Sequence, residues 1–446
     1  MKNQYGLALP YGARLLGVAA AAALGLAASA QALSAPPAPA YIIYDTGTLG
    51  GTFAFGAGVD NLGWVTGASL NDAGALHATL AIPGNLIDLG TLGGMNSAVE
   101  WPVKNNHGLV VGISESATPD PNGEVFSCAD FIPTNGHTCL PFLWQNGALS
   151  QLALLGGNNG FATGVNNAGS SVGWAETAVH DGDCVLPQVL QFLAVEWGPG
   201  TAVKRVLPPY GTDTTSAATA INDAGEVVGI SGACDNAVGA YSARHALLWL
   251  NGQPIRLPTL GGAGWNTPMA INNAGIIVGF LDTPGDVSGG VLTPNSQAVI
   301  WTPEGIINLH TLPGDATAQA TGINDFNQVV GTSFEASGAP HAVFLWQNGQ
   351  LYDLNSLLQP NAPLQALETG DINDRGEITG LACVLVDGAC GPVAHTFVAI
   401  PAPGSRPPGW QPAELSQHPQ ISAELRQQLA QRGRLMHAQA QRPAAP

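Results

Sequence analysis

The chain has 446 residues; only 10% are charged and 45% are hydrophobic, with 58 Gly and 33 Pro. That is too apolar for intrinsic disorder, and the glycines keep no three-residue period, which excludes collagen. Between residues 41 and 400, 29 acidic side chains stand against six basic ones (Lys104, Lys204, Arg205, Arg244, Arg256 and Arg375), a balance that repels phosphate backbones and argues against nucleic acid as a partner.

Residues 1–32 read as a signal peptide. Lys2 and Arg14 supply a basic start, residues 15–28 a short apolar run, and Ala28-Ser29-Ala30 and Ala30-Gln31-Ala32 small-x-small cleavage sites. The run is short for a membrane span, an uncleaved anchor being the alternative, and no later segment reaches 18 apolar residues. The expected location is therefore secreted or periplasmic, through general export, with no membrane span in the mature chain. Residues 33–40 form a short linker.

Residues 41–400 are dominated by a repeat. Four close copies are I-N-D-A-G-E-V-V-G (221–229), I-N-N-A-G-I-I-V-G (271–279), I-N-D-F-N-Q-V-V-G (323–331) and I-N-D-R-G-E-I-T-G (372–380). Three looser ones precede them at 59–67, 104–112 and 165–173. The final glycines lie 45, 61, 56, 50, 52 and 49 residues apart. Each copy predicts a tight β-hairpin: Asn or Asp opens the turn, and the Gly three residues later takes positive φ. In one copy that Gly is Asn327, the non-glycine residue that best tolerates positive φ.

Between hairpins recur a strand ending in Trp (141–144, 192–197, 245–249, 297–301 and 341–346) and then a strand running into a glycine-rich corner such as T-L-G-G. Four short strands every fifty residues predict an all-β fold: a seven-bladed β-propeller of four-stranded blades. The chain opens with a fourth-type strand (41–51) and finishes with a third-type one (395–401), so N- and C-terminal half-blades are expected to close the ring.

At these residues the chain resembles the bacterial extracellular repeats named HAF. The motif stands here as His245-Ala246, His341-Ala342 and His395-Thr396, followed by T-L-G-G and I-N-x-x-G-x-V-V-G. The resemblance spans residues 41–400 and implies an exported or surface propeller, often with a C-terminal sorting segment; it implies no particular activity. Residues 401–446 depart from it, holding no apolar anchor run. This tail is Pro/Gln/Arg-rich and expected to be mostly disordered, with E-L-R-Q-Q-L-A-Q-R (424–432) as a weakly periodic helix candidate.

All six cysteines, Cys128, Cys139, Cys184, Cys234, Cys383 and Cys390, fall in insertions between the second and third strands of the blades, expected on one face. In an exported chain they predict disulfides, and proximity favours Cys128–Cys139 and Cys383–Cys390, leaving Cys184–Cys234. No C-x-x-C spacing supports a metal site. Asp120, Asn122 and Glu124, or Asp181 and Asp183, have calcium-ligand types without EF-hand spacing, so calcium is a weak candidate and no cofactor is predicted. The histidines recur blade by blade, which points to structure, because a catalytic residue is needed once.

Trp174 and Trp265 break the repeat and are the candidate ligand-binding residues, as exposed stacking platforms for a sugar or apolar ligand; packing under a loop is the alternative. No nucleophile motif is present. The reading is a monomeric, exported, non-enzymatic binding protein for an extracellular glycan, peptide or matrix ligand. An exported hydrolase or lyase with its site at the channel mouth stays open.

Overall fold

The computed structural model describes residues 40–402, apart from 104, 125–127, 129–130, 236–239, 289–290 and 293–294. The expected signal peptide, the linker up to residue 39 and the tail from 403 lie outside the described residues. No helix among the described residues is long and apolar enough to cross a membrane.

The chain is all-β, and its strands run antiparallel in groups of four, lettered here in chain order. Unit A comprises Gly50–Val59, Val65–Asn71, Leu76–Ile82 and Asn85–Asp88; unit B comprises Gly93–Ala98, Val110–Pro119, His137–Gln145 and Ala148–Gln151. Unit C follows with Gly156–Val165, Ser171–His180, Leu190–Trp197 and Val203–Leu207, and unit D with Thr215–Ile221, Val227–Gly232, His245–Leu250 and Gln253–Arg256. Unit E holds Asn266–Ile271, Ile277–Leu281, Gln297–Thr302 and Gly305–Asn308, and unit F Thr317–Ile323, Val329–Phe334, Pro340–Gln347 and Gln350–Asp353. Unit G has Leu364–Ile372, Ile378–Val386 and Ala389–Pro401.

The fourth strand of unit G comes from the other end of the chain. Tyr41–Asp45 lies antiparallel on Ala389–Pro401, with Tyr41 opposite Pro401 and Asp45 opposite Phe397. Units B to F are separate sheets; A and G merge through a single parallel contact between Phe53 and Ala394.

The repeat's chemistry explains each hairpin. Asn222, Asn272, Asn324 and Asn373 use Oδ1 to accept the backbone N–H four residues on, closing the turn. Gly225, Gly275 and Gly376 then take φ of 79°, 77° and 75°, and Asn327 takes 59°, as the turn requires. The final glycine of each copy has a different cause. A Cβ on Gly67, Gly173, Gly229 or Gly380 would collide with the carbonyl oxygen of Phe55, Phe161, Ala217 or Glu368 on the first strand. There the first strand carries a bulge, seen as register shifts at Gly56/Gly58, Ala162/Gly164 and Ala218/Ala220.

Between units the seams are packed by the third strand. Trp144, Trp197, Trp249, Trp301 and Trp346 share one register position, opposite Val110, Ser171, Val227, Ile277 and Val329. The indole N–H of Trp197, Trp249 and Trp301 crosses to the preceding unit's corner, donating to the carbonyls of Ala153, Pro208 and Pro258 at 2.7–2.8 Å. All three side chains are fully or almost fully buried. In units A and G the same position is Ala81 and Ala399.

Because positive φ strains any β-branched residue, Asn327→Val should cost about 1–2 kcal/mol more than Asn327→Gly. Chemical denaturation of the two variants measures the difference, and equal stabilities would contradict the turn geometry.

Candidate functional site

At the hairpin end of the units the second residue of each turn reaches its neighbour. The backbone N–H of Asn61 donates to Oδ1 of Asn106, that of Asn106 to Asn167, that of Asn167 to Asp223 and that of Asp223 to Asn273. Asn273 donates in turn to Asp325, Asp325 to Asp374, and Asp374 back to Asn61, each bond between 2.7 and 3.0 Å. The circuit thus ends where it began. A second tier runs beneath it: the Nδ2 groups of Asn166, Asn222, Asn272, Asn324 and Asn373 donate to the carbonyls of Asn222, Asn272, Asn324, Asn373 and Asp60.

These residues line a small polar cavity of about 70 Å³. Its carboxylates are not free bases. Asp374, Asp223 and Asp325 each accept a side-chain amide, from Asn61, Asn167 and Asn273 respectively. Sequence reasoning took the Asn-Asp pairs as turn formers and missed the circuit. The signal was present: a turn needs only the first residue of each pair, yet the second is also Asn or Asp in every copy.

The cysteine-bearing insertions emerge at the opposite end, because antiparallel strands put the turn between strands one and two and the loop between strands two and three at opposite ends. Three disulfides form there: Cys128–Cys139, Cys184–Cys234 and Cys383–Cys390, with Cα atoms 5.6, 4.3 and 5.3 Å apart. The first closes the unit B insertion, the second ties unit C to unit D, and the third cross-links the tight hairpin between the second and third strands of unit G. The expectation that all six cysteines sit in insertions fails for Cys139, Cys383 and Cys390, which lie within strands. Asp181 lies beside Cys184 and Cys234, but sulfurs joined to each other are not thiolate ligands.

Buried carboxylates organise this end. Glu115 and Glu176 stand three residues after Gly112 and Gly173 and cap the glycine-rich corners. Glu115 accepts the backbone N–H groups of Met95 and Asn96, and Glu176 those of Asn158 and Asn159. In unit E, Asp286 does the same for Ala263 and Gly264. The calcium-type residues serve the same purpose. Asp120 accepts from the backbone of Asn122 and Glu124 and from Asn159 Nδ2, while Glu124 accepts from Val189, Leu190 and Asn122 Nδ2. Their oxygens face N–H donors, so this acidic run is a staple between units B and C. Asp183 is exposed, and its N–H caps Asp181.

Burial, and then the Glu124 charge, push the Glu176 carboxyl up to about 7 against these donors. Burial and then Asp286 push Asp282 up to about 7 as well.

The two tryptophans correct the sequence expectation. Trp174 is fully buried, packed at 4.9 Å on Phe161 and at 6.0 and 5.8 Å on Trp101 and Phe131. Trp265 is 8% exposed and lies 5.8 Å from Phe280. Neither is an exposed stacking platform: Phe131, from the unit B insertion, covers Trp174, and Trp265 joins the same apolar core. Packing, the alternative reading, is what the structure has.

The repeated histidines pair with acids. His77, His245, His341 and His395 place Nδ1 within 2.7–3.0 Å of Asp88, Asp213, Asp315 and Asp45. His77 and His395 tie the third strand to the fourth strand of their own unit, and His245 and His341 tie it to the corner that leads into theirs, a structural use repeated from unit to unit. Burial raises Asp45, but the His395 hydrogen bond, the Gly47 N–H and the His395 charge outweigh it and lower the carboxyl overall.

No family model matches this sequence, and no curated protein matches it. Among solved structures the chain is similar to the β-propeller domain of the Trilobed protease from Pyrococcus furiosus, described as having an open velcro topology. Identity is 8% over 81% of this chain and 93% of that one, with a TM-score of 0.42. It is also similar to a triple arginine-to-alanine mutant of AofleA from Arthrobotrys oligospora, at 12% identity over 81% and 92% of the chains and a TM-score of 0.31. Likenesses this distant carry no argument about chemistry or ligand.

Glu176 and Asp282 rise from 4.5 and 3.8 to about 7 on folding, so folding favours their protonated forms. Their contribution to stability is full below the unfolded values and is lost as the pH climbs through 7. The protein should melt a few degrees higher at pH 5.5 than at pH 8.0, and Glu176→Gln should narrow that gap. Thermal melts across this range test it; a gap unchanged by the substitution would remove Glu176 as its source.

Proposed function

We propose that the chain is an exported, closed, seven-bladed β-propeller that binds an extracellular glycan, peptide or matrix ligand through its disulfide-clamped loop end. The ring reading rests on the hydrogen-bond circuit, which passes once through every unit before returning to Asn61, and on the pairing of Tyr41–Asp45 with Ala389–Pro401. These complementary ends complete one sheet and remove two exposed edges.

The observation that carries the functional reading is the rigid loop end. Cys128–Cys139 and Cys184–Cys234 tie down the insertions of units B, C and D, and Cys383–Cys390 the hairpin of unit G, and cross-linked segments lose less entropy on binding. Disulfides are also the chemistry of an oxidising compartment, which agrees with the expected signal peptide and with secretion. Membership of the HAF-type repeats fits the same picture, since its histidines stand here as strand-joining His–Asp pairs. The acidic and histidine side chains that line the hairpin-end cavity or recur in the repeat are engaged in structural hydrogen bonds. That favours binding over an exported hydrolase or lyase at the channel mouth.

The test is a screen of the purified, oxidised protein against glycan and peptide arrays and matrix components, with activity-based hydrolase profiling in parallel. Binding lost on reduction fits the proposal. Covalent labelling by a hydrolase probe, with no array binding, would replace it with the enzyme reading.

A ring held by sheet packing should outlast its loops' cross-links. Under reductant, hydrogen exchange should rise in the insertions between the second and third strands, residues 120–136, 181–189 and 233–244, while the first and second strands keep their protection. Uniform loss across those strands would show that the disulfides hold the sheets themselves.

A further inference from the structure

The units are sealed by a tryptophan from the third strand, and two of them lack it. At the seam between F and G the space is taken by a short 3₁₀ turn, Leu354–Leu357, whose Leu354 and Leu357 are buried with the adjacent Leu358. At the seam between G and A the structure instead has an open cleft of about 490 Å³. Ala81, at the tryptophan position, lies in its wall with Val65, Ile82, Leu86, Val398 and Ile400. Leu62 and Tyr44, both 48% exposed, stand at its mouth. Gly47 occupies the place of the carbonyls that receive the indoles of Trp197, Trp249 and Trp301: like Ala153 and Pro258, it lies two residues beyond the strand residue paired two before the tryptophan position.

We propose that this cleft receives the chain's own Trp410, carried in on the C-terminal segment. Three observations converge on that occupant. The cleft opens at the seam where other units carry an indole, with Ala81 at the tryptophan position in its wall, so an indole is the group that the repeat places there. The last strand lines the cleft with Val398 and Ile400, and the chain leaves it at Ala402. Trp410 follows eight residues later, within a reach of about 26 Å. The segment also carries Arg406, Arg426, Arg432, Arg434 and Arg442 against Glu414 and Glu424, whereas residues 41–400 are strongly acidic. Asp45 and Glu377 stand in the cleft lining, the latter bonded to Arg375. The inference does not depend on what the loop end binds.

Chymotryptic cleavage after Trp410 in the full chain, followed by mass spectrometry, tests it. Docking shields that bond, and cleavage then tracks the undocked fraction. Ala81→Trp fills the cleft from within, and Leu62→Glu places a charge at its exposed mouth without touching the core. Each should speed cleavage at least about tenfold over the wild type. Trp410→Ala should raise hydrogen exchange in residues 41–46, 81–86 and 398–402. Equal cleavage in wild type and both variants overturns the proposal, leaving the cleft for a separate apolar ligand or partner. Protection that grows with protein concentration overturns it too, because the indole then comes from a second copy.

Discussion

A backbone N–H in one turn and a side-chain oxygen in the next unit are the contact on which the rest of this structure depends. Sheets of four strands have no intrinsic reason to adopt one common arrangement. Here each turn holds its own shape with one Asn or Asp and reaches its neighbour with the next. The second tier refines this, because Oδ1 of Asn222 closes its own turn while Nδ2 reaches the carbonyl of Asn272. Aspartate has no such donor. Asp60 therefore accepts from Asn373 but sends no amide onward, and unit A joins unit B through Asn61 and Asn106. Net gains of about 1 kcal/mol per bond are modest singly; their repetition gives neighbouring units one common geometry.

Outside that polar hub the units are joined by apolar volume. The tryptophan position on the third strand acts as a key between sheets, and its N–H finds a carbonyl on the preceding corner. Where alanine replaces it, another device fills the seam or the seam stands open. Unit G, with Ala399 at that position, has the turn with buried Leu354 and Leu357 between it and unit F; at the seam of Ala81 the structure has a cleft. The difference between two alanines thus separates a sealed seam from a cleft.

Much of this was legible in the sequence because a repeat reports the same physics many times. Asn327 in place of glycine announced a positive φ, and the six cysteines paired as their spacing suggested. What stayed hidden depended on contacts between units. Glu115 and Glu176 look like ordinary strand residues until the corners they cap come alongside. Trp174 and Trp265 stood out because they broke the pattern, and a broken pattern was read as exposure. The structure shows the opposite, since the unit B insertion that interrupts the repeat brings Phe131 to cover Trp174. Sequence irregularity marked a change in packing and said nothing about solvent.

The strand Tyr41–Asp45 finds its partner some 350 residues further along the chain. Most other strand pairings here join strands that follow one another in the chain, and pairings between neighbouring segments form quickly. During synthesis this pairing has to wait for residues 397–401. As the chain emerges from the amino end, Tyr41–Asp45 has no partner strand until they are made. Completion of unit G thereby becomes a check on synthesis itself, because a chain cut short before residue 397 leaves its opening strand without a partner.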